Sequence, residues 1–203
     1  GDFLAPSPTR EAVVATVNGV LGDHLAASGN PLAIAMAWRR GGATLVVKRD
    51  ALAQAIPAAG SRILVAVHGL CMHAGQWCRK GHDHAAALAA EAGFTPVYLN
   101  YNSGRHISIN GRELADQLET LVRNWPLAVE ELVILGHSMG GLLARSALHY
   151  GVLAGHQWPG LLRRLFFLGT PHQGAPLERG GNWIDAILGV SPYTMALARL
   201  GKI

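Results

Sequence analysis

Charged residues, cysteines and long apolar runs are all scarce in this sequence. Only 15% of its 203 residues are charged, and its arginines are adjacent only at Arg39-Arg40 and Arg163-Arg164. The net charge of +4 is therefore scattered and does not form the basic stripe with which proteins bind nucleic acid. We interpret it as ordinary surface charge, which implies no nucleic-acid partner but still permits transient attraction to an anionic lipid surface.

No apolar stretch reaches the roughly 20 residues that a membrane-spanning helix needs, and the N-terminus lacks a basic-then-apolar signal pattern. The two cysteines, Cys71 and Cys78, lie in one predicted loop and are either free thiols or a small bridge, so they do not decide the redox compartment. Half of the residues are apolar, and neither an internal repeat nor a linker interrupts the chain. These properties predict one domain over residues 1–203 with a sizeable core.

The first 50 residues predict a helix followed by a hairpin. Residues 7–28 begin with a serine cap and a proline, and then carry apolar residues at helical spacing. Two short apolar runs, at residues 32–38 and 43–48, flank Arg39-Arg40-Gly41-Gly42. Because glycines favour a turn between two such runs, this pattern predicts a hairpin at a sheet edge.

From residue 62 onward, strand and helix patterns alternate. Runs that are apolar at consecutive positions, as in buried parallel strands, occupy residues 62–67, 95–99, 131–135 and 162–168. Helical patterns separate them at residues 83–92, 110–125 and 142–148. This alternation predicts an α/β fold with an open, mostly parallel sheet and helices on both faces.

A G-x-S-x-G motif joins the third of these strands to the next helix. This context, strand before and helix after, is typical of a nucleophile elbow, in which Gly136 and Gly140 leave room for a strained turn at Ser138. The helix that follows directs its unpaired N–H groups and its positive dipole end toward that serine. We predict that Ser138 is a nucleophile. The alternative is a glycine-rich turn with an incidental serine.

Three signatures follow three of the predicted strands. They are His68-Gly69-Leu70, Gly136-His137-Ser138-Met139-Gly140-Gly141 and Gly169-Thr170-Pro171-His172-Gln173-Gly174. In this order, the chain resembles the serine lipase and esterase branch of the α/β-hydrolases, and it is similar to bacterial triacylglycerol lipases and to the GPI inositol deacylase group. The resemblance implies an α/β-hydrolase fold and a hydrolase that cleaves carboxylic esters of lipids or other acyl chains without a cofactor.

The resemblance also implies roles for single residues. Ser138 is the nucleophile that forms an acyl-enzyme, and the backbone N–H groups of Met139 and Leu70 form an oxyanion hole. For Leu70 the alternative is a buried leucine at a strand end. Nucleophilic acyl transfer needs two such donors near the carbonyl oxygen, because negative charge develops there.

The substrate-binding part of the predicted site consists of His68, Gly69, His137 and His172. His68 is expected to support the loop that carries the oxyanion donor, and His172 to shape the pocket at the mouth of a neighbouring strand. His137 precedes the nucleophile, so its side chain is expected to point away from the hydroxyl. For each histidine the alternative is a hydrogen-bonded structural residue.

The chain departs from the family after the third signature. In α/β-hydrolases the acid and the histidine of the triad follow later strands, so we expect this chain to be the N-terminal portion of a longer enzyme, with its C-terminal strands absent. An acid on the strand directly after the elbow would make Glu178 or Asp185 the candidate. Residues 175–203 fit either a lid over the acyl pocket or packing helices.

The sequence leaves three alternatives to weigh: a metal site, another acyl-transfer enzyme and a non-catalytic module. Five zinc-type ligands fall within fourteen residues, but they lack the C-x-x-C pairing of structural sites, so we predict no metal site; they are Cys71, His73, Cys78, His82 and His84. An acyltransferase or a thioesterase would use the same fold and nucleophile. A non-catalytic fragment or binding module is the alternative outside enzyme chemistry.

Overall fold

The computed structural model describes residues 7–172. The strands are β1 (Ala37–Arg40), β2 (Ala43–Thr44), β3 (Arg62–Val67), β4 (Cys78–Arg79), β5 (His82–Asp83), β6 (Thr95–Asn100), β7 (Glu131–His137) and β8 (Leu162–Leu168). The α-helices are α1 (Pro8–Ala27), α2 (Arg49–Ala55), α3 (His84–Ala92), α4 (Ile107–Asn124), α5 (Met139–Leu153) and α6 (Trp158–Leu161). None of these helices is long and apolar enough to span a membrane.

Within residues 7–172, six strands form one sheet in the order β2-β1-β6-β3-β7-β8. The strands β6, β3, β7 and β8 are parallel, whereas β1 runs antiparallel to both β6 and β2. The predicted mostly parallel sheet is therefore confirmed, and the predicted hairpin forms one of its edges. Strands β4 and β5 form a separate two-stranded ribbon.

Helices cover both faces of the sheet, as the consecutive-apolar strands predict. Within β3, Ile63, Val65 and Val67 face a large core that includes helices α4 and α5, while Leu64 and Ala66 face a smaller cluster with α3. Because successive side chains of a strand point to opposite faces, a strand covered on both sides must be apolar at every position. The sheet core therefore explains the sequence pattern directly.

The N-terminal hairpin is shorter than the sequence predicts, and its two arginines belong to a strand rather than to the turn. Arg39 pairs with Thr44 and Arg40 with Ala43, so only Gly41 and Gly42 form the turn. Their φ angles are 54° and 80°, the left-handed values that a two-residue hairpin turn requires at both central positions. Because Gly41 and Gly42 form the whole turn, Arg39 and Arg40 remain free to pair, and β1 extends to Arg40.

Helix α1 lies against the loops that follow the C-terminal ends of β3 and β6. A Cβ atom added to Gly19 would lie 2.9 Å from the Cα of Cys71, and one added to Gly22 would lie 2.7 Å from the Cα of Gly104. The helix begins as predicted, since the Ser7 hydroxyl accepts a hydrogen bond of 3.2 Å from the Arg10 N–H. Two glycines on one face of α1 thus allow an unusually close approach to the sheet's C-terminal edge.

Candidate active site

The three signatures meet at one edge of the sheet. In the parallel pairing, Val67 of β3 lies beside Gly136 of β7, and His137 of β7 lies beside Leu168 of β8. The residues that follow these strands are therefore neighbours in space. Open parallel sheets bind ligands outside the carboxyl ends of their strands, so this edge is the candidate active site.

Ser138 occupies the turn between β7 and α5 in a strained conformation. Its φ is 52° and its ψ is −124°, a combination that L residues rarely adopt and that costs about 1–3 kcal/mol. The Ser138 N–H donates a 2.7 Å hydrogen bond to the Leu168 carbonyl, which ties the turn to β8. The Ser138 side chain does not cap helix α5. The hydroxyl is therefore not committed to the helix that begins beside it.

Glycines surround this turn because backbone atoms lie against it. A Cβ atom at Gly140 would lie 2.5 Å from the carbonyl oxygens of both Val67 and His68, and one at Gly136 would lie 2.6 Å from the Cα of Gly141. No L side chain fits at such distances. The glycines of the G-x-S-x-G motif thus allow β7, α5 and the end of β3 to approach one another.

The loop after β3 touches the serine turn directly. A Cβ atom at Gly69 would lie 3.1 Å from the Cβ of Ser138 and 3.3 Å from the His137 carbonyl oxygen. Leu70 follows in this loop, and Met139 is the first residue of α5; both are half-buried. Within residues 7–172, neither the Leu70 N–H nor the Met139 N–H donates a hydrogen bond. Both backbone donors predicted for an oxyanion hole are thus unpaired among the residues described.

His68 is fully buried beneath this loop. Its ring stacks on Tyr101 with 4.3 Å between centroids, and the Tyr101 hydroxyl donates a 2.8 Å hydrogen bond to the His68 carbonyl. The Tyr101 N–H donates to Nε2 at 3.4 Å, so the ring proton resides on Nδ1 and is donated to the Gly69 carbonyl at 2.9 Å. Burial lowers the pKa of His68 to about 3. The imidazole is consequently neutral and serves as a fixed donor to the loop.

The other two predicted histidines differ in exposure. His137 is half-buried, its pKa is lowered by burial, and its ring meets that of Trp77 edge-on at 6.5 Å. His172 is exposed, and its Nδ1 accepts a 3.0 Å hydrogen bond from Arg145 of α5 while its ring packs edge-on against Phe167. Within residues 7–172, no hydrogen bond joins a histidine to the Ser138 hydroxyl.

Several sequence-based predictions fall outside the described residues. The end of the third signature, the candidate acids Glu178 and Asp185, and the predicted lid at 175–203 all lie there. The five residues considered as zinc ligands are described. Across residues 7–172, no three His, Cys, Asp or Glu side chains are placed to hold a metal ion, and both cysteines are free thiols.

Sequence patterns do not single out two residues that the structure brings to this edge, Tyr101 and Ser103. Tyr101 supports His68, and the Ser103 hydroxyl accepts a 3.0 Å hydrogen bond from the Cys71 N–H. The sequence feature that could have identified them is the polar run Asn102-Ser103-Gly104, which follows an apolar strand. Such a run at the carboxyl end of a parallel strand is where sites form.

Comparison with known proteins places the chain in a family. The family model described as the PGAP1-like alpha/beta domain matches residues 58–194. The chain is similar to the mature form of the Bacillus licheniformis lipase BlEst2, with 25% identity, a TM-score of 0.48 and coverage of 65% of this chain and 46% of that one. It is also similar to the propeptide form, with 26% identity, a TM-score of 0.49 and coverage of 64% and 28%.

The chain therefore spans less than half the length of either solved structure. None of the curated proteins compared with the chain matches it. The family match extends over more than half of the chain and includes every strand of the parallel part of the sheet. This protein belongs to the PGAP1-like alpha/beta domain family, and its mostly parallel sheet with helices on both faces is an α/β-hydrolase fold.

Proposed function

We propose that this protein is a serine hydrolase that cleaves carboxylic esters of lipids or other acyl chains, with Ser138 as its nucleophile. The observation that carries the proposal is the strained, positive-φ conformation of Ser138 at the carboxyl end of a central strand, with α5 beginning at the next residue. A serine held this way presents its hydroxyl above the sheet edge, where a substrate carbonyl can reach it. Family membership supports the same chemistry.

The reaction proceeds through a covalent intermediate. The Ser138 oxygen attacks the carbonyl carbon of the ester, and its proton passes to a general base and from there to the departing alcohol. The C–O bond to the alcohol breaks and leaves an acyl group on Ser138. Water then attacks the acyl-enzyme, releases the carboxylic acid and restores the hydroxyl. Atoms and charges balance without a cofactor.

The Leu70 and Met139 amides are proposed to hold the oxyanion that forms in both steps. The N–H of Met139, which has no partner within residues 7–172, lies at the first position of α5, where the helix dipole adds positive potential. Each such donor is worth about 3 kcal/mol of transition-state stabilisation. The two amides are thus expected to contribute more than any other part of the described site.

His68 is proposed to orient the Leu70 amide. The Gly69 carbonyl and the Leu70 N–H belong to one planar trans peptide and point in opposite directions. Because His68 Nδ1 donates to the Gly69 carbonyl at 2.9 Å, it fixes that plane and hence the direction of the Leu70 N–H. A neutral, buried imidazole suits this task, since a charged ring would not be tolerated there.

The nucleophile is tested on the full-length protein, in which the general base of the triad is present, with a fluorophosphonate ester probe followed by peptide mapping. We expect one labelled peptide containing Ser138, and no labelling of the Ser138→Ala variant. Ser61→Ala is the matched control, because Ser61 precedes β3 at the opposite edge of the sheet and its hydroxyl donates to the Glu130 carboxylate. Labelling that survives in Ser138→Ala, or an unlabelled wild-type protein, contradicts the assignment.

A further inference from the structure

The residue after the proposed oxyanion donor is itself strained. Cys71 has a φ of 58°, in the left-handed region that favours glycine. A non-glycine residue remains there only when surrounding contacts hold it. Cys71 lies outside the G-x-S-x-G turn, so those contacts must come from elsewhere in the fold.

The first contact that holds Cys71 is a hydrogen bond to Ser103, in the loop that follows β6. The Cys71 N–H donates to the hydroxyl oxygen of Ser103 at 3.0 Å, and Ser103 is only 2% exposed. The position of Ser103 is fixed in turn by Asn102, whose carbonyl accepts from the Asn110 side chain at 2.8 Å. Since the Cys71 N–H belongs to the peptide plane that follows Leu70, this hydrogen bond fixes that plane.

Helix α1 provides the second contact. The Cys71 sulfur lies 4.0 Å from the Thr16 carbonyl oxygen, and burial raises the pKa of this thiol to about 11, so it keeps the proton that it directs at the helix. A Cβ atom at Gly19 would lie 2.3 Å from the same sulfur. Only glycine at position 19 permits the helix to press on Cys71 so closely.

The same helix is anchored to the loop that carries Ser103. The Asn102 side chain donates to the Gly22 carbonyl at 3.0 Å, and a Cβ atom at Gly22 would lie 2.1 Å from the Asn102 side-chain oxygen. Helix α1 and Ser103 therefore form one unit that surrounds Cys71. This helix lies outside residues 58–194, the part of the chain that the family model matches.

We propose that Ser103, together with Gly19 of α1, positions the Leu70 amide for oxyanion binding by holding Cys71 in its left-handed conformation. His68 fixes the peptide plane before Leu70, and Ser103 fixes the plane after it. With both planes fixed, the Leu70 N–H keeps one direction. This inference rests on the proposed serine-hydrolase function, and it makes an N-terminal helix outside the family domain part of the site's support.

The test measures how fast the fluorophosphonate probe modifies Ser138 of the full-length protein, separated into the limiting rate constant and the half-saturating concentration. For Ser103→Ala we expect the limiting rate constant to fall about tenfold, because a misdirected donor loses transition-state stabilisation. The half-saturating concentration should stay unchanged, since the probe's binding surface is intact. Ser146→Ala is the matched control, because Ser146 is a partly buried serine that bonds to the Ile107 carbonyl on α4; its rate should equal that of wild type.

Cys71→Gly keeps the test decisive if Ser103→Ala folds poorly. Glycine adopts a positive φ without strain, so the melting temperature should stay near that of wild type. Glycine populates other backbone conformations as readily and lacks the side chain that contacts Thr16 of α1, so the Leu70 amide is no longer held in one direction and the limiting rate should fall several-fold. A merely structural role would not separate reactivity from stability in this way. Wild-type rates in both variants would overturn the positioning role and leave the serine-hydrolase proposal intact. Failure of the wild-type protein to label at Ser138 would overturn both.

Discussion

Two residues at the candidate active site, Ser138 and Cys71, have positive φ angles without being glycine, at 52° and 58°. The turn at Ser138 is accommodated by glycines two positions before and after it. The turn at Cys71 is held by Ser103, 32 positions away, and by Thr16 of α1, 55 positions away. Glycines close in sequence make room for the turn at Ser138, although the Leu168 carbonyl also ties that turn to β8, whereas the contacts that hold Cys71 are all distant in sequence. A short motif therefore reveals the turn at Ser138 and not the turn at Cys71.

The largest effect is expected from breaking the turn that its own neighbours stabilise. In Gly140→Ala the added methyl would lie 2.5 Å from the carbonyl oxygens of Val67 and His68. These are backbone atoms at the end of the central strand and cannot move without disturbing the sheet. We expect the free energy of unfolding to fall by about 3 kcal/mol, the upper end for overpacking, and Ser138 labelling to be lost.

Urea unfolding and the fluorophosphonate probe measure these two quantities. Gly160→Ala is the matched control, because within residues 7–172 no atom apart from its chain neighbours and its own helix backbone lies within 4 Å of the added methyl, and its backbone is not left-handed. The control should be neutral or more stable by up to about 1 kcal/mol. Equal unfolding free energies for the two variants would contradict this prediction, because they would mean that a methyl group fits at Gly140.

The next largest effect is the pH dependence of stability, which tests the buried imidazole of His68. Burial lowers the pKa of His68 from 6.5 to about 3. Between these values the unfolded chain binds a proton that the folded protein excludes, so stability is complete above about pH 6.5 and declines as the pH falls toward 3. At pH 5 the expected loss from this group is about 2 kcal/mol.

Urea unfolding at pH 7 and pH 5 checks this dependence. His68→Gln keeps a side-chain N–H that can donate to the Gly69 carbonyl but removes the titrating group. It should be less stable than wild type at pH 7 and lose about 2 kcal/mol less between the two pH values. A wild-type slope that persists in His68→Gln would mean that another group causes the acid sensitivity.

The sequence predicted the parts of the fold whose cause is local. The run at residues 62–67 coincides with β3, which is buried at every position but the first, and the prediction of a mostly parallel sheet is confirmed, because a strand buried on both faces must be apolar throughout. The run at residues 162–168 also coincides with β8, but this edge strand is partly exposed, contrary to its consecutive-apolar pattern. The helix predicted at 83–92 begins one residue later, since Asp83 caps it by accepting from the Ala86 N–H. The strained serine turn followed from its glycines in the same way.

The remaining features depend on contacts that are distant in sequence. Arg39 and Arg40 were predicted in a turn, but both belong to strand β1, which pairs antiparallel with β2 and with β6. Helix α2 has no clear periodic pattern over its seven residues and was not predicted. Ser103 and Gly19 act together only because α1 packs against the C-terminal edge of the sheet. No pattern along the sequence predicts that contact.

The smallest expected effect concerns helix α1 and its contact with Cys71. It distinguishes a change in where α1 lies from a change in how stable α1 is. In Gly19→Ala the added methyl meets the Cys71 sulfur at 2.3 Å and its backbone at 2.9 Å. The sulfur belongs to a side chain and can yield, so we expect a loss of about 1–2 kcal/mol, together with slower Ser138 labelling as the oxyanion turn shifts. Ser7→Ala removes the exposed helix cap and should cost about 0.5–1 kcal/mol. Its labelling rate should be unchanged, since Ser7 lies three helical turns from Gly19. If both variants slowed labelling in proportion to their loss of stability, α1 would act through folding alone and the contact at Cys71 would have no separate role.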